Sequence, residues 1–268
     1  MSVIEAITFD LWQTLILDDR ELGRARTQRR LEGALEALTD HGYDFSYEQL
    51  QEAYRSCFRT CRVIHAEEKD VTFDEQVGIF INNIDENLLQ RLDDQVVDRI
   101  TYWYAEAFFE FPPPVAPEAY KVLEEVRRMG YLVGMISNTG MTPGRLFRRY
   151  LAQQNILDFF HVLTFSDEVK LCKPSKEMFH ITLQELGTTP DKAAHLGDHI
   201  QNDILGANRA GMKSVLLGTA EGQEKVADPH MQILNLGELP QALKTSPLLN
   251  DGAGLGNNGE FDKLVRDG

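Results

Sequence analysis

The chain has 268 residues, 43% hydrophobic and 26% charged, which excludes a disordered polymer and a small disulfide-stapled scaffold. With 27 Lys and Arg against 42 Asp and Glu, the formal net charge is -15, which disfavours duplex DNA and anionic lipid as partners. Three cysteines cannot build a disulfide framework, the N-terminus lacks a basic and apolar leader, and no apolar run reaches the ~18 residues of a membrane span. A cytoplasmic protein is therefore expected, with no nucleic-acid or membrane partner; its oligomeric state stays open.

Val3 to Phe9 is a short apolar run ending at Asp10, the pattern of a buried strand in a parallel sheet. From about Asp18 to Glu110 there is no proline, and Leu31, Ala34, Leu35 and Leu38 recur at helical spacing. Ser46-Tyr47-Glu48-Gln49 and Thr72-Phe73-Asp74-Glu75 are capping-box patterns. Three to five helices and no strand are predicted there. Arg24, Arg26, Arg29 and Arg30 cluster in the first of these helices and are expected on a solvated face with salt bridges, the alternative being that one of them reaches an anion in the crevice.

Phe111-Pro112-Pro113-Pro114 cannot continue a helix and forms a stiff connector. Beyond it, helices and short apolar strands alternate. Helices are predicted at Glu118 to Met129, Pro143 to Gln154, Pro174 to Leu186 and Ile200 to Ala210. Strands are predicted at Tyr131 to Ile136, Val162 to Phe165, Ala193 to Leu196, Ser214 to Leu217 and Gln232 to Leu236. Such alternation implies an α/β fold with a Rossmann-like parallel sheet core and an inserted α-helical cap. The core is expected at residues 1–17 and 112–245, the cap at 18–111 and a flexible tail at 246–268.

Ligands of such sheets bind at the carboxyl ends of strands. Asp10, Ser137, Lys173 and Asp198 lie at or just after predicted strand ends, so residues far apart in sequence would meet in one crevice. Asp10 there is a nucleophile or a metal ligand. Asp198 and Asp203 next to it would repel without a cation, and Mg²⁺ suits an all-oxygen site. Lys173 is a point charge for phosphate or carboxylate and holds an Asp ionised. Thr14, Ser137 and Asn138 offer donors to an oxyanion. Elsewhere, Cys57, Cys61 and His65 share one helix face at metal spacing without an evident fourth ligand, so packing is expected for them. His195 is expected as a packed strand residue.

Together these stretches resemble the haloacid dehalogenase-like hydrolases. The matching residues are Phe9-Asp10-Leu11-Trp12-Gln13-Thr14-Leu15, Ile136-Ser137-Asn138, Lys173-Pro174, and Leu196-Gly197-Asp198 through Asp203-Ile204, continuing to Gly211-Met212. The resemblance covers about residues 1–240, and the helical insert resembles the C1-type cap. It implies Asp10 as the covalent nucleophile, Ser137 binding the transferring group and Lys173 orienting that group. It implies a Mg²⁺ site of Asp10, the Trp12 carbonyl, Asp198 and supporting Asp203. The substrate it implies is a small phosphorylated molecule.

One position departs from the family's phosphatases, which carry a second Asp two residues after the nucleophile. Here that residue is Trp12, which cannot transfer a proton, and general acid–base help is typically ~10²- to 10⁴-fold. Trp12 is expected as a pocket wall. Three alternatives to an ordinary phosphatase follow: a 2-haloacid dehalogenase-type hydrolase, whose halide needs no proton; a phosphonatase; and a non-catalytic binding member. Gly197-Asp198 resembles the metal-binding members rather than the dehalogenases. Lys69, the cap lysine a phosphonatase would need, lies among acids that keep it an ammonium.

Overall fold

The structure, a computed structural model, describes residues 3–246. Six parallel strands form one sheet: β1 Ala6–Phe9, β2 Leu132–Ser137, β3 Val162–Phe165, β4 Ala193–Gly197, β5 Lys213–Leu217 and β6 Met231–Ile233, in the order β3-β2-β1-β4-β5-β6. All four residues of β1 are buried, as a central strand covered on both faces requires. Phe9 stands opposite Met135 of β2 and Leu196 of β4. The chain turns to one side after β1 and returns to the other at β4, so the crevice of this doubly wound sheet opens beyond β1 and β4.

Four helices, α1 Arg20–Thr39, α2 Tyr47–Ala66, α3 Phe73–Ile84 and α4 Asp94–Glu110, separate β1 from the rest of the sheet. Both predicted capping boxes are present, at Ser46 and Thr72. Leu31, Leu38, Phe80 and Tyr104 form a core of their own, apart from the one around Phe9, Met135, Phe147 and Leu196. Helices α1 and α4 pack at Gly33, where a Cβ would lie 2.3 Å from the Trp103 ring. Two connectors join the layers side by side: Leu17 N donates to Pro114 O at 2.8 Å and Ala116 N to Leu15 O at 2.8 Å. A third tether pairs the α2–α3 loop with the segment before Lys173, through Asp70 N to Lys170 O and Cys172 N to Glu68 O, both 3.1 Å.

Apart from the single turn Ser166–Val169, the other α-helices are α5 Ala119–Arg128, α6 Gly144–Gln153, α7 Lys176–Leu186, α8 Gly206–Ala210 and α9 Leu239–Thr245. The helix expected over Ile200–Ala210 is split. Ile200–Leu205 is a wide π-type turn, and only Gly206–Ala210 is α-helical. The Asp203 carboxylate bonds back to His199 N at 2.9 Å and draws the turn inward. The last strand stops at Ile233 rather than Leu236, because Asn235 Nδ2 bonds Glu238 Oε1 at 3.0 Å and starts a tight turn. Ser246 closes α9, and the rest of the expected tail, 247–268, lies outside the described residues. Among the described residues no helix is long and apolar enough to cross a membrane.

Candidate active site

Asp10 follows directly on β1, and its own N–H continues the sheet pattern to Leu196 O at 2.8 Å. That bond aims the carboxylate into the crevice. Lys173 reaches it from the loop before α7: Nζ lies 2.5 Å from Asp10 Oδ1 and 2.6 Å from Asp203 Oδ1. All three side chains are buried. Thr14 Oγ1 donates to Asp10 Oδ2 at 3.3 Å, so the turn after β1 folds its hydroxyl back onto the carboxylate.

Asn138 fixes the lysine's backbone. Its Oδ1 accepts from Lys173 N at 2.8 Å and its Nδ2 donates to Lys173 O at 3.2 Å. Ser137 ends β2, fully buried beside β1, with its hydroxyl donating to Asn138 O at 3.3 Å. Gly197 is required where it stands, since a Cβ there would lie 2.3 Å from Asp203 Cγ. The Asp198 carbonyl is held by Gln223 Nε2 at 2.9 Å.

Burial pushes the Asp10 carboxyl up to about 7; Lys173 opposes the rise, and Asp203 and Asp198 add to it. Burial also raises Asp198 to about 6, with Asp203 adding to it. For Asp203 burial acts upward too, but the Lys173 ammonium and His195 outweigh it and hold the carboxyl low. Lys173 itself is raised despite burial, because the two carboxylates outweigh desolvation. One ammonium thus faces three carboxyl groups whose ligand atoms lie within 4.8 Å of one another. This all-oxygen donor set with surplus negative charge fits a hard divalent cation such as Mg²⁺.

His195, expected as a packed strand residue, is packed as expected and also touches Asp203. It is fully buried, with Thr8 Oγ1 at 2.8 Å from Nδ1 and Asp203 Oδ1 at 3.3 Å from Nε2. Burial lowers its pKa, so the neutral ring props Asp203 from below. The register Thr8 opposite His195 makes this contact possible.

Trp12 is half-buried and stands edge-on to Phe147 at 5.4 Å and to Phe108 at 6.4 Å. It walls a cavity of about 460 Å³ between the sheet and the insertion, which Asn138 also lines. The expectation for the arginine cluster needs correction. Arg26 and Arg30 are each 4% exposed and turn inward, while Arg29 pairs with Glu110 near the surface. They follow the register of Ala34, Ala37 and Leu38, the buried face of α1, and that register is the signal that would have found them. Among the described residues, Cys57, Cys61 and His65 form no joint metal group; His65 bonds Asp70 at 2.9 Å instead. Lys69 is exposed and pairs with Glu67.

The model of the haloacid dehalogenase-like hydrolases matches residues 4–211. The chain belongs to this family. Among its relatives, the glyceraldehyde 3-phosphate phosphatase of Methanopyrus kandleri is 26% identical over 230 residues, 83% of this chain and 87% of that protein. The phosphoserine phosphatase of Thermus thermophilus is 32% identical over 138 residues, about half of each chain (50% and 54%). The 2-haloacid dehalogenase of Pseudomonas syringae superposes with a TM-score of 0.66 over 90% of this chain and 99% of that one, at 21% identity. That likeness shows the shared α/β fold with its parallel sheet, and the family match makes this chain a hydrolase.

Proposed function

We propose that this hydrolase is a Mg²⁺-dependent phosphatase of small phosphorylated metabolites that works through a covalent intermediate on Asp10. The observation that carries the proposal is the meeting of Asp10, Asp198 and Asp203 around a single ammonium. Three carboxyl groups for one cation leave negative charge that a metal ion and a phosphoryl group, held together, would balance. Relatives spanning most of the chain are phosphatases.

Asp10 and Asp198, with the Trp12 carbonyl and Asp203 in support, would hold the ion. Bound there, Mg²⁺ would supply positive charge to the phosphoryl oxygens. In the first step a carboxylate oxygen of Asp10 attacks phosphorus, the ester P–O bond breaks, and the leaving alkoxide takes up a proton from solvent water. In the second, water attacks phosphorus, phosphate departs and the Asp10 carboxylate is restored. Lys173 keeps Asp10 ionised and aimed. Ser137, Thr14 and the backbone near Asn138 stabilise the phosphoryl oxygens. Trp12 offers no proton to the leaving group, so esters of acidic alcohols and acyl phosphates are the faster substrates. The helical insertion over the cavity excludes water and selects the substrate.

Trp12 also supports a second reading, hydrolysis of a 2-haloacid, in which Asp10 attacks carbon and the departing halide needs no proton. A panel of p-nitrophenyl and acyl phosphates and 2-chloropropionate, assayed with Mg²⁺ and with EDTA, separates the two. Phosphate release abolished by EDTA and by Asp10→Asn is expected. Halide release indifferent to EDTA would replace the proposal with the second reading.

A further inference from the structure

The insertion's side of the cavity carries an aromatic side chain that the rest of the described chain leaves uncovered. The buried stripe of α2 is Leu50, Ala53, Cys57 and Cys61. Tyr54, Phe58 and Arg62 follow that stripe one residue on, at i, i+4 and i+8, and all three line the cavity. Tyr54 is held by its neighbours, its ring centroid 6.3 Å from that of Phe80 and 5.9 Å from that of Tyr104. Phe58 has no ring partner among the described residues and is 51% exposed. Of the large apolar side chains left exposed among the described residues, it alone lines this cavity. Arg62, one turn further, is exposed as well and has no carboxylate partner among the described residues.

The sheet side of the same cavity contributes Trp12 and Asn138. Trp12 stands two residues after Asp10, and Asn138 holds the backbone of Lys173. An ester with its phosphorus at Asp10 therefore extends its organic part past Trp12 into a space of about 460 Å³. An apolar cavity of ~150 Å³ already admits benzene. Trp12 also limits the alcohol that can leave, because it donates no proton. A phenol ionises near pH ~10, whereas an alkyl alcohol resembles water at ~15.7, so a phenolate departs without help. Two separate features thus call for one group: Trp12 for a leaving oxygen that needs no proton, and Phe58 for the face of a ring.

We infer that the cavity selects phosphate esters of aromatic alcohols, with Phe58 as the residue that recognises the ring. The inference rests on the proposed phosphatase reading and narrows it. Ring-on-ring contact at Phe58 is worth up to about tenfold in selection beyond the area it covers. The Arg62 guanidinium beside it draws the phosphate dianion to the cavity of a chain whose net charge is -15.

The test separates the ring from the acidity of the alcohol. Phenyl phosphate is compared with hexafluoroisopropyl phosphate, a ring-free ester whose alcohol is at least as acidic as phenol. Both are assayed with Mg²⁺ on the full chain, on Phe58→Ala and on Phe58→Tyr. The full chain and Phe58→Tyr are expected to favour phenyl phosphate by about tenfold in kcat/KM. Phe58→Ala should bring that ratio to within about twofold. A merely structural defect would lower turnover of both esters alike and leave the ratio standing. A wild-type ratio near one, an unchanged ratio in Phe58→Ala, or a ratio lost in Phe58→Tyr as well overturns the inference. If no ester is hydrolysed, the phosphatase reading fails by itself. Calorimetry with phenylphosphonate and ethylphosphonate in MgCl₂ then decides. Tighter binding of phenylphosphonate that Phe58→Ala removes upholds the selection. A preference that Phe58→Ala leaves intact, equal binding or absent binding overturns it.

Discussion

On the sheet side, beyond the part of the cavity that Trp12 and Asn138 line, Asp10, Lys173, Asp198 and Asp203 stand at or after strand ends and meet one another. At the insertion wall, Arg26, Arg30 and Gln76 sit inside helices, in line with apolar residues, and meet backbone carbonyls: Phe111 O, Tyr104 O and Gly140 O. The first arrangement concentrates charge against charge and can drive a reaction. The second spends its polarity on fixing loop 139–142 and the Phe111 end of α4. Damage to the sheet wall should therefore abolish chemistry, while damage to the insertion wall should change selectivity or stability with chemistry retained.

The strongest way to break this contrast is Asp10→Asn. Loss of the nucleophile is expected to lower turnover by at least ~10³-fold with little change in secondary structure, measured by phosphate release and far-ultraviolet circular dichroism. Lys173→Met should cost stability as well as activity. The ammonium is buried between two carboxylates, and its removal leaves buried charge uncompensated, about 3–5 kcal/mol in urea denaturation with EDTA present. Trp12→Asp should act in the opposite direction, speeding alkyl phosphate turnover by about 10²-fold through leaving-group protonation. Unchanged alkyl phosphate turnover would show that the missing acid is not the limitation.

On the insertion side, Gly33→Ala should leave kcat nearly intact but lower stability by about 1–3 kcal/mol, since its Cβ would enter the Trp103 ring. The smallest expected effect is a pH dependence from the His65–Asp70 pair. The Asp70 hydrogen bond raises the His65 pKa above the ordinary 6.5, burial opposing it. A raised folded-state value means that the pair's stabilisation is complete below pH 6.5 and is lost as pH rises through the folded value. Denaturation midpoints of the wild type and Asp70→Asn should converge above that pH and separate below it; parallel curves would dismiss the pair as a contributor.

The contrast also explains what the sequence made legible. Asp10, Asp198 and Ser137 end apolar runs, and a polar residue at a strand end announces itself in one dimension. The alternation of helices and strands conveyed the parallel sheet for the same reason. His195 is packed in the core as its strand pattern predicts, but its hydrogen bonds lie across the sheet, in the register that sets it opposite Thr8, and nothing within β4 encodes that pairing. Arg26 and Arg30 were read by composition as surface, whereas their place in the stripe of Ala34, Ala37 and Leu38 outweighed their charge. Gln76 follows the same logic in the stripe of Phe73, Val77 and Phe80. The split of the helix after Ile200 had no local signal, since it depends on the Asp203 carboxylate turning toward His199 and Lys173.

Covalent catalysis at Asp10 on phosphorus leaves an intermediate that can be trapped. The enzyme is acid-quenched during turnover of an acyl phosphate with Mg²⁺, digested, and the peptide containing Asp10 is analysed by mass spectrometry. A phosphoryl group on Asp10, absent in Asp10→Asn, is expected. Phosphate release with Asp10 unmodified throughout turnover, or an alkyl ester on Asp10 after exposure to 2-chloropropionate with no phosphoryl adduct from any ester, would contradict it.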